Sequence, residues 1–359
     1  MTVPVPRSPH NGSPLPDLDI MSRGRSVPGA QGPRTFPLRT DPLPGESLYS
    51  WLQACAVRLD VSVVDLYDHM GLRGGGEMRR RLNAEAVSRE DIAVISAAMN
   101  YPVADIEALT LARYAAMTAE IFGPPARLTT LARWHRVAGS QFCPQCLTAS
   151  AGRWKLQWRL IWTFACTQHR CLLVDRCPTC DGRQHLRPLT GAVPPHPGQC
   201  DCPVPGNGQR PVRCDADLGQ SPVVELNSDH PALTAQATMS ALLDRGVVTW
   251  GAYRRHSRPT VDVVTDIRLL GRNILSAVSE RYLDRFVPVD LVTEYRRALG
   301  PSGVHTDDTA SSAHQWSTGP PIIRAVAITA ALQILQSPDL RGPSPRRWPR
   351  SRARSPATT

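Results

Sequence analysis

Residues 142–182 read FCPQCLTASAGRWKLQWRLIWTFACTQHRCLLVDRCPTCDG. Cys143-Pro144-Gln145-Cys146 is a C-x-x-C whose proline helps fix the turn that aims two sulfurs at one centre, and Cys166-Thr167-Gln168-His169 follows as a C-x-x-H. Two such pairs supply the four soft donors of a tetrahedral structural zinc. Cys177-Pro178-Thr179-Cys180 opens a second knuckle whose remaining ligands must come from downstream. Cys200, Cys202 and Cys214 offer three thiols for two positions, and spacing alone does not choose. His185 and His196 are substitutes for a thiolate there, but their polar and proline-rich surroundings read as solvated loop; Cys55 and Cys171 lie inside apolar runs and read as core.

Between the halves of the first site, Trp154, Trp158 and Trp162 fall at helical spacing, yet the same stretch alternates apolar and polar with period two. Periodicity leaves helix and strand open. Either way an aromatic face is expected to pack inward, with Lys155 and Arg159 facing out.

The metals expected here are structural, because four sulfur and imidazole donors close the coordination sphere and leave no position for water. Asp175 and Asp181 are the carboxylates of residues 127–190, and the chain has no H-E-x-x-H, no G-x-x-x-x-G-K-[ST], no G-x-S-x-G and no H-x-E before a P-C-x-x-C. No enzyme is expected, and a metallohydrolase is disfavoured.

Outward from the centre, the chain of 359 residues reads as mainly α with little β. Ser47, Ser62 and Ser88 each precede an apolar helical pattern; Pro102 ends the third, and Val103 to Ala119 can form one or two more helices. The pairs at 48–70 and 89–110 show the pattern of helix-turn-helix modules and equally that of an ordinary helical subdomain. Downstream, Ala232–Leu243, Val261–Val278, Val289–Leu299 and Pro321–Gln336 read as helices. The boundaries expected are 1–35 as a disordered tail, 36–125 as a helical part, 126–218 as a double zinc-finger or zinc-ribbon module, 219–340 as a helical region and 341–359 as a basic disordered tail.

The formal charge is +10, with one lysine, Lys155. Basic residues concentrate in 127–190 and in the C-terminal tail, so weak, sequence-independent and salt-sensitive DNA contact is expected. The candidate residues are Arg153, Lys155, Arg159, Arg346, Arg347, Arg350, Arg352 and Arg354. No apolar run is long enough for a membrane span, the longest, Ile322 to Leu335, carrying Arg324. With no apolar leader either, a cytoplasmic, reducing location is expected, where cysteines stay thiols or metal ligands.

Taken together, FCPQCL, WKLQWRLIWTFACTQHRCLLVDRCPTCDG and the opening PLPGESLYSWLQACAVRLDVSVVDLYDHMGL resemble the TniQ family. The likeness covers about 36–182 and fades toward 218. Its motifs are a P-x-P-x-E-S-x-x-S-W-L, a C-P-x-C-L, a W-x-L-x-W-R-L, a C-x-x-H-x-x-x-L and a C-P-x-C, in that order. The family's closing R-C-G-A-D-L corresponds to Arg213-Cys214-Asp215-Ala216-Asp217-Leu218, with Asp215 in place of Gly, and its G-x-C to Gly198-Gln199-Cys200. The resemblance therefore implies Cys177, Cys180, Cys200 and Cys214 as the second ligand set. It also implies a non-catalytic transposition adaptor that helps target-site selection by linking a target-recognition element or DNA to an AAA+ ATPase regulator of the TnsC/TniB type, with a homodimer as an open option. The alternative is a free-standing zinc-containing DNA-binding regulator on the same scaffold. On the resemblance, 36–182 would suffice for the ATPase and the C-terminal helices would govern target choice.

Overall fold

The computed structural model describes residues 35–36, 38–72, 87–114, 139–185, 196–206, 208, 211–244, 246–277, 283–299, 316 and 319–337. Residues 1–34 of the expected N-terminal tail and the whole C-terminal tail, with Arg346, Arg347, Arg350, Arg352 and Arg354, lie outside these residues, as do the ends of the helices expected to reach 119 and 278.

The architecture is mainly helical with a few two-residue strands. α1 (Leu48–Leu59), α2 (Val63–Met70) and α3 (Arg89–Met99) start where Ser47, Ser62 and Ser88 accept hydrogen bonds from the backbone N–H groups of Ser50, Asp65 and Asp91. Asp60, Gly71 and Asn100 end them at positive φ, where the chain needs a residue that tolerates the left-handed region. α4 (Val103–Ala108) follows Pro102, and a 3-10 turn spans Leu111–Tyr114. α1 to α4 share one core around Trp51, Leu66, Ile95, Met99 and Ile106, as a helical subdomain does.

The middle of the chain holds α5 (Pro144–Ala149), the hairpin β1 (Ala165–Cys166) with β2 (Cys171–Leu172), and the hairpin β3 (Pro203–Val204) with β4 (Val212–Arg213). After them come α6 (Pro231–Leu243), the hairpin β5 (Val247–Val248) with β6 (Arg258–Pro259), α7 (Thr260–Ala277), α8 (Val289–Leu299) and α9 (Pro321–Gln336). α9 is buried continuously from Pro321 to Leu332, as a helix apolar on all sides must be, and α6, α7 and α8 surround it. Among the described residues no helix is long and apolar enough to cross a membrane.

The tryptophan segment is neither a helix nor a strand. A single 3-10 turn, Leu156–Arg159, sits between extended stretches, and all three tryptophans are buried. The turn splits the apolar residues between two cores. Trp154 and Trp158 pack among the cysteines with Phe142, while Leu156, Leu160, Ile161, Trp162 and Phe164 join the core built by α6 to α9. The expectation that Arg159 faces out is corrected: it is 4% exposed. The core built by α6 to α9 thus takes side chains from both sides of residue 218.

Candidate metal centre

Two tight turns build the first cluster. Cys143 precedes α5 and Cys146 lies in its first turn, so helical geometry puts both thiols on the same end. β1 and β2 pair Cys166 opposite Cys171, and the four residues between them turn through Arg170 at φ 50°, bringing His169 back over Cys166. The His169 N–H donates to Cys166 Sγ at 3.4 Å. Cys143, Cys146, Cys166 and His169 present donor atoms all within 4.8 Å of one another. Cys146 and Cys166 sulfurs are 3.7 Å apart, and His169 Nδ1 is 3.4, 3.2 and 3.6 Å from the sulfurs of Cys143, Cys146 and Cys166.

In the second cluster Cys177, Cys180, Cys200 and Cys214 meet the same 4.8 Å limit. Cys177 and Cys214 are 3.9 Å apart and Cys180 and Cys200 3.6 Å. The Thr179 N–H donates to Cys177 Sγ at 3.4 Å. Cys200 and Cys214 flank the β3–β4 hairpin, locked by Cys214 N to Cys202 O and Asp215 N to Cys200 O. Asp215, the residue that replaces the family's Gly, sits at φ 54°. That is a conformation Gly adopts freely and Asp tolerates, so the substitution leaves the turn intact.

These spacings fit a tetrahedral zinc. Zn–S bonds of ~2.3 Å at the tetrahedral angle put sulfurs ~3.8 Å apart, and the separations of 3.6 to 3.9 Å match. A disulfide needs ~2.0 Å and is excluded at these distances. The protonation pattern agrees. A hydrogen bond with Cys143, then one with Cys166, then burial push the Cys146 thiol far above its ordinary range, while hydrogen bonds from Cys143 and Cys146 draw Cys166 far below it. In the second cluster a hydrogen bond with Cys202 and then burial raise Cys200, and burial pushes Cys180 up to about 12. So many thiols cannot ionise side by side unless a cation sits among them. Both clusters could hold a metal ion, with zinc the consistent choice.

The remaining candidates fall elsewhere. Cys202, outside the second quartet, donates to Arg183 O and accepts from Gln184 Nε2. Cys55 and Cys171 are fully buried, Cys171 lying 3.8 Å from Cys143 sulfur to sulfur. His196 is exposed, but His185 corrects the solvated-loop expectation: it is 6% exposed, its ring tilted against Trp154 at 4.1 Å and edge-on to Tyr49 at 5.0 Å. Arg153 is committed to Glu46 through two guanidinium–carboxylate hydrogen bonds, and Arg159 is buried, which withdraws both from the expected DNA-contact set. Lys155 remains partly exposed.

Sequence reading missed the residues that dock these modules. Glu46, 1% exposed, also accepts from Ser50 Oγ and Leu43 N, and the Ser50 hydroxyl accepts from Trp154 N at 2.8 Å. Ser47 N donates to Trp154 O and Leu156 N to Gly45 O. Glu46 and Ser50 stand within the quoted P-x-P-x-E-S-x-x-S-W-L segment, which is where a signal existed. The helical part is thus stitched to the tryptophan segment that the first knuckle frames.

The TniQ family model matches residues 37–173. That match marks residues 37–173 as a TniQ segment. The matched TniQ segment contains α1 to α5, Glu46, the tryptophans and the whole first quartet, and it ends before Cys177. A TniQ domain is a mark of transposition-associated accessory proteins. No curated protein matches the chain.

Proposed function

We propose that this protein is a non-catalytic adaptor in transposition, one that helps target-site selection by linking a target-recognition element or DNA to an AAA+ ATPase regulator. The observation that carries this reading is the family match across 37–173. The two donor sets support it: each consists of four soft ligands that would close around one zinc and leave no site for chemistry. On this reading the metals order the surface that partners recognise, the site residues are Cys143, Cys146, Cys166 and His169 with Cys177, Cys180, Cys200 and Cys214, and the protein works in the reducing cytoplasm.

The test is a pull-down of the purified, zinc-replete full-length chain with the AAA+ ATPase encoded beside it, in moderate salt. Retention of the ATPase is expected. A full-length chain that carries two zinc equivalents and retains no ATPase, with or without DNA, would remove the adaptor reading.

A further inference from the structure

With Arg153 tied to Glu46 and Arg159 buried, a separate group of exposed cations on the segment from β5 to β6 comes into view. Residues 246–260 contain Arg254, Arg255, His256 and Arg258 and no acid. The five residues from Arg254 to Arg258 are all exposed. Neither Arg254 nor Arg255 makes an ion pair or a side-chain hydrogen bond among the described residues.

The root of this loop is fixed. Gly251 adopts φ 55° and lies so close to the end of α9 that a Cβ there would stand 2.0 Å from Leu335 O. Tyr253 is 7% exposed, donates to Asp266 Oδ2 at 2.9 Å and meets the Trp250 ring edge-on at 6.0 Å. The arginines therefore project from an anchored turn, which lowers the ordering cost of binding. Beside the tip is a cavity of about 630 Å³ lined by His256 from the loop, Arg258 from the start of β6, and Asp262, Thr265 and Asp266 from α7.

We propose that this tip is a contact surface for the phosphate backbone of nucleic acid, with Arg254, Arg255 and Arg258 as the phosphate ligands. Guanidinium groups take phosphate oxygens in bidentate fashion and carry no sequence information when they do so. Asp262 and Asp266 repel a phosphate from the cavity, so the backbone runs along the tip. The tip offers no large apolar side chain for insertion into a lipid surface, which favours nucleic acid over a membrane. This inference goes beyond the adaptor reading, because it rests on the loop and is independent of the ATPase.

The experiment titrates full-length, zinc-replete protein against a random-sequence DNA duplex over a range of salt. The triple variant Arg254→Gln, Arg255→Gln, Arg258→Gln is expected to bind about tenfold more weakly at low salt and to lower the slope of log affinity against log salt by about two to three. Asp262→Asn, which removes a like charge from the neighbourhood of the phosphates, is expected to bind about twofold more tightly. An unchanged slope in the triple variant, or an unchanged affinity in Asp262→Asn, overturns the proposal. Equal or stronger binding to phosphatidylserine vesicles than to DNA overturns the choice of nucleic acid. Because the triple variant should retain the ATPase as the unaltered chain does, failure here and failure of the adaptor reading are separate results.

Discussion

Cys143 supplies one sulfur to the first quartet and shares its cluster with Trp154 and Trp158. Cys143→Ser should therefore lower zinc content from two equivalents per chain to one and shift tryptophan emission to the red, because binding free energy at such a site is folding free energy. Elemental analysis with fluorescence checks this, and two retained equivalents would contradict it. Gly152 is as constrained for a different reason. At φ 85° a Cβ would stand 2.1 Å from the backbone carbon of Pro197, where the turn after α5 meets the chain leading to Cys200. Gly152→Ala combines left-handed strain with a backbone overlap that cannot relax locally, so a loss of at least about 2 kcal/mol is expected in chemical denaturation.

His185 gives the joint between the helical part and the metal modules a pH dependence. Burial, with the Arg159 charge adding to it, pushes its pKa down to about 3. As pH falls below the ordinary histidine value the unfolded chain takes up a proton that the folded chain refuses until about 3. Stability contributed above the unfolded pKa is lost progressively on acidification, by about 2 kcal/mol at pH 5. His185→Asn removes the titration and suits the positive φ of 55° at this position. The variant should lose about 2 kcal/mol less than the unaltered chain between pH 8 and pH 5, a difference that leaves out acid effects on metal binding common to both.

At the scale of elements, two glutamines hold the stretch that delivers Cys166. Gln141 Nε2 donates to Thr163 O at 2.7 Å while its Oε1 accepts from Arg324 of α9 at 2.6 Å. Gln236 of α6 accepts from Phe164 N at 2.7 Å and Ala165 N at 3.1 Å. All three side chains are buried. Helices far along the chain thus fix the backbone beside a metal ligand. Gln236→Leu would leave two buried N–H groups without their acceptor, and a cost of about 2–4 kcal/mol together with weaker zinc retention against a chelator is expected. Loss of stability with unchanged zinc retention would show that the helix and the ligand are not coupled.

At the scale of the whole molecule, the core of α6 to α9 includes Leu156, Leu160, Ile161, Trp162 and Phe164 from the TniQ segment. A fragment of residues 36–218 would expose those side chains to water. It should aggregate or bind a hydrophobic dye in size-exclusion and fluorescence measurements, where the full chain runs as a defined species. A monodisperse, zinc-replete fragment that binds the ATPase would contradict this and support the division of labour expected from the resemblance.

The sequence by itself determined what is local. A C-x-x-C, a C-x-x-H and a second C-x-x-C set ligand type and turn geometry within a few residues, and Ser47, Ser62 and Ser88 fixed helix starts through bonds three residues long. The tertiary structure decided what depends on partners distant in the chain. Trp154, Trp158 and Trp162 look alike in sequence, yet a single 3-10 turn sends two to the metal core and one to the helical core, and it carries Arg159 inside. Cys202 and Cys200 offer the same sulfur, and the β3–β4 hairpin with Asp215 at positive φ puts only Cys200 in the quartet. Buried Glu46 and Arg324 read as surface charges until the acceptors and donors that face them, 107 and 183 residues away along the chain, are in place. Local geometry needs only neighbours in sequence, whereas burial of a charge or choice of a core is settled by which distant groups can replace the water it loses.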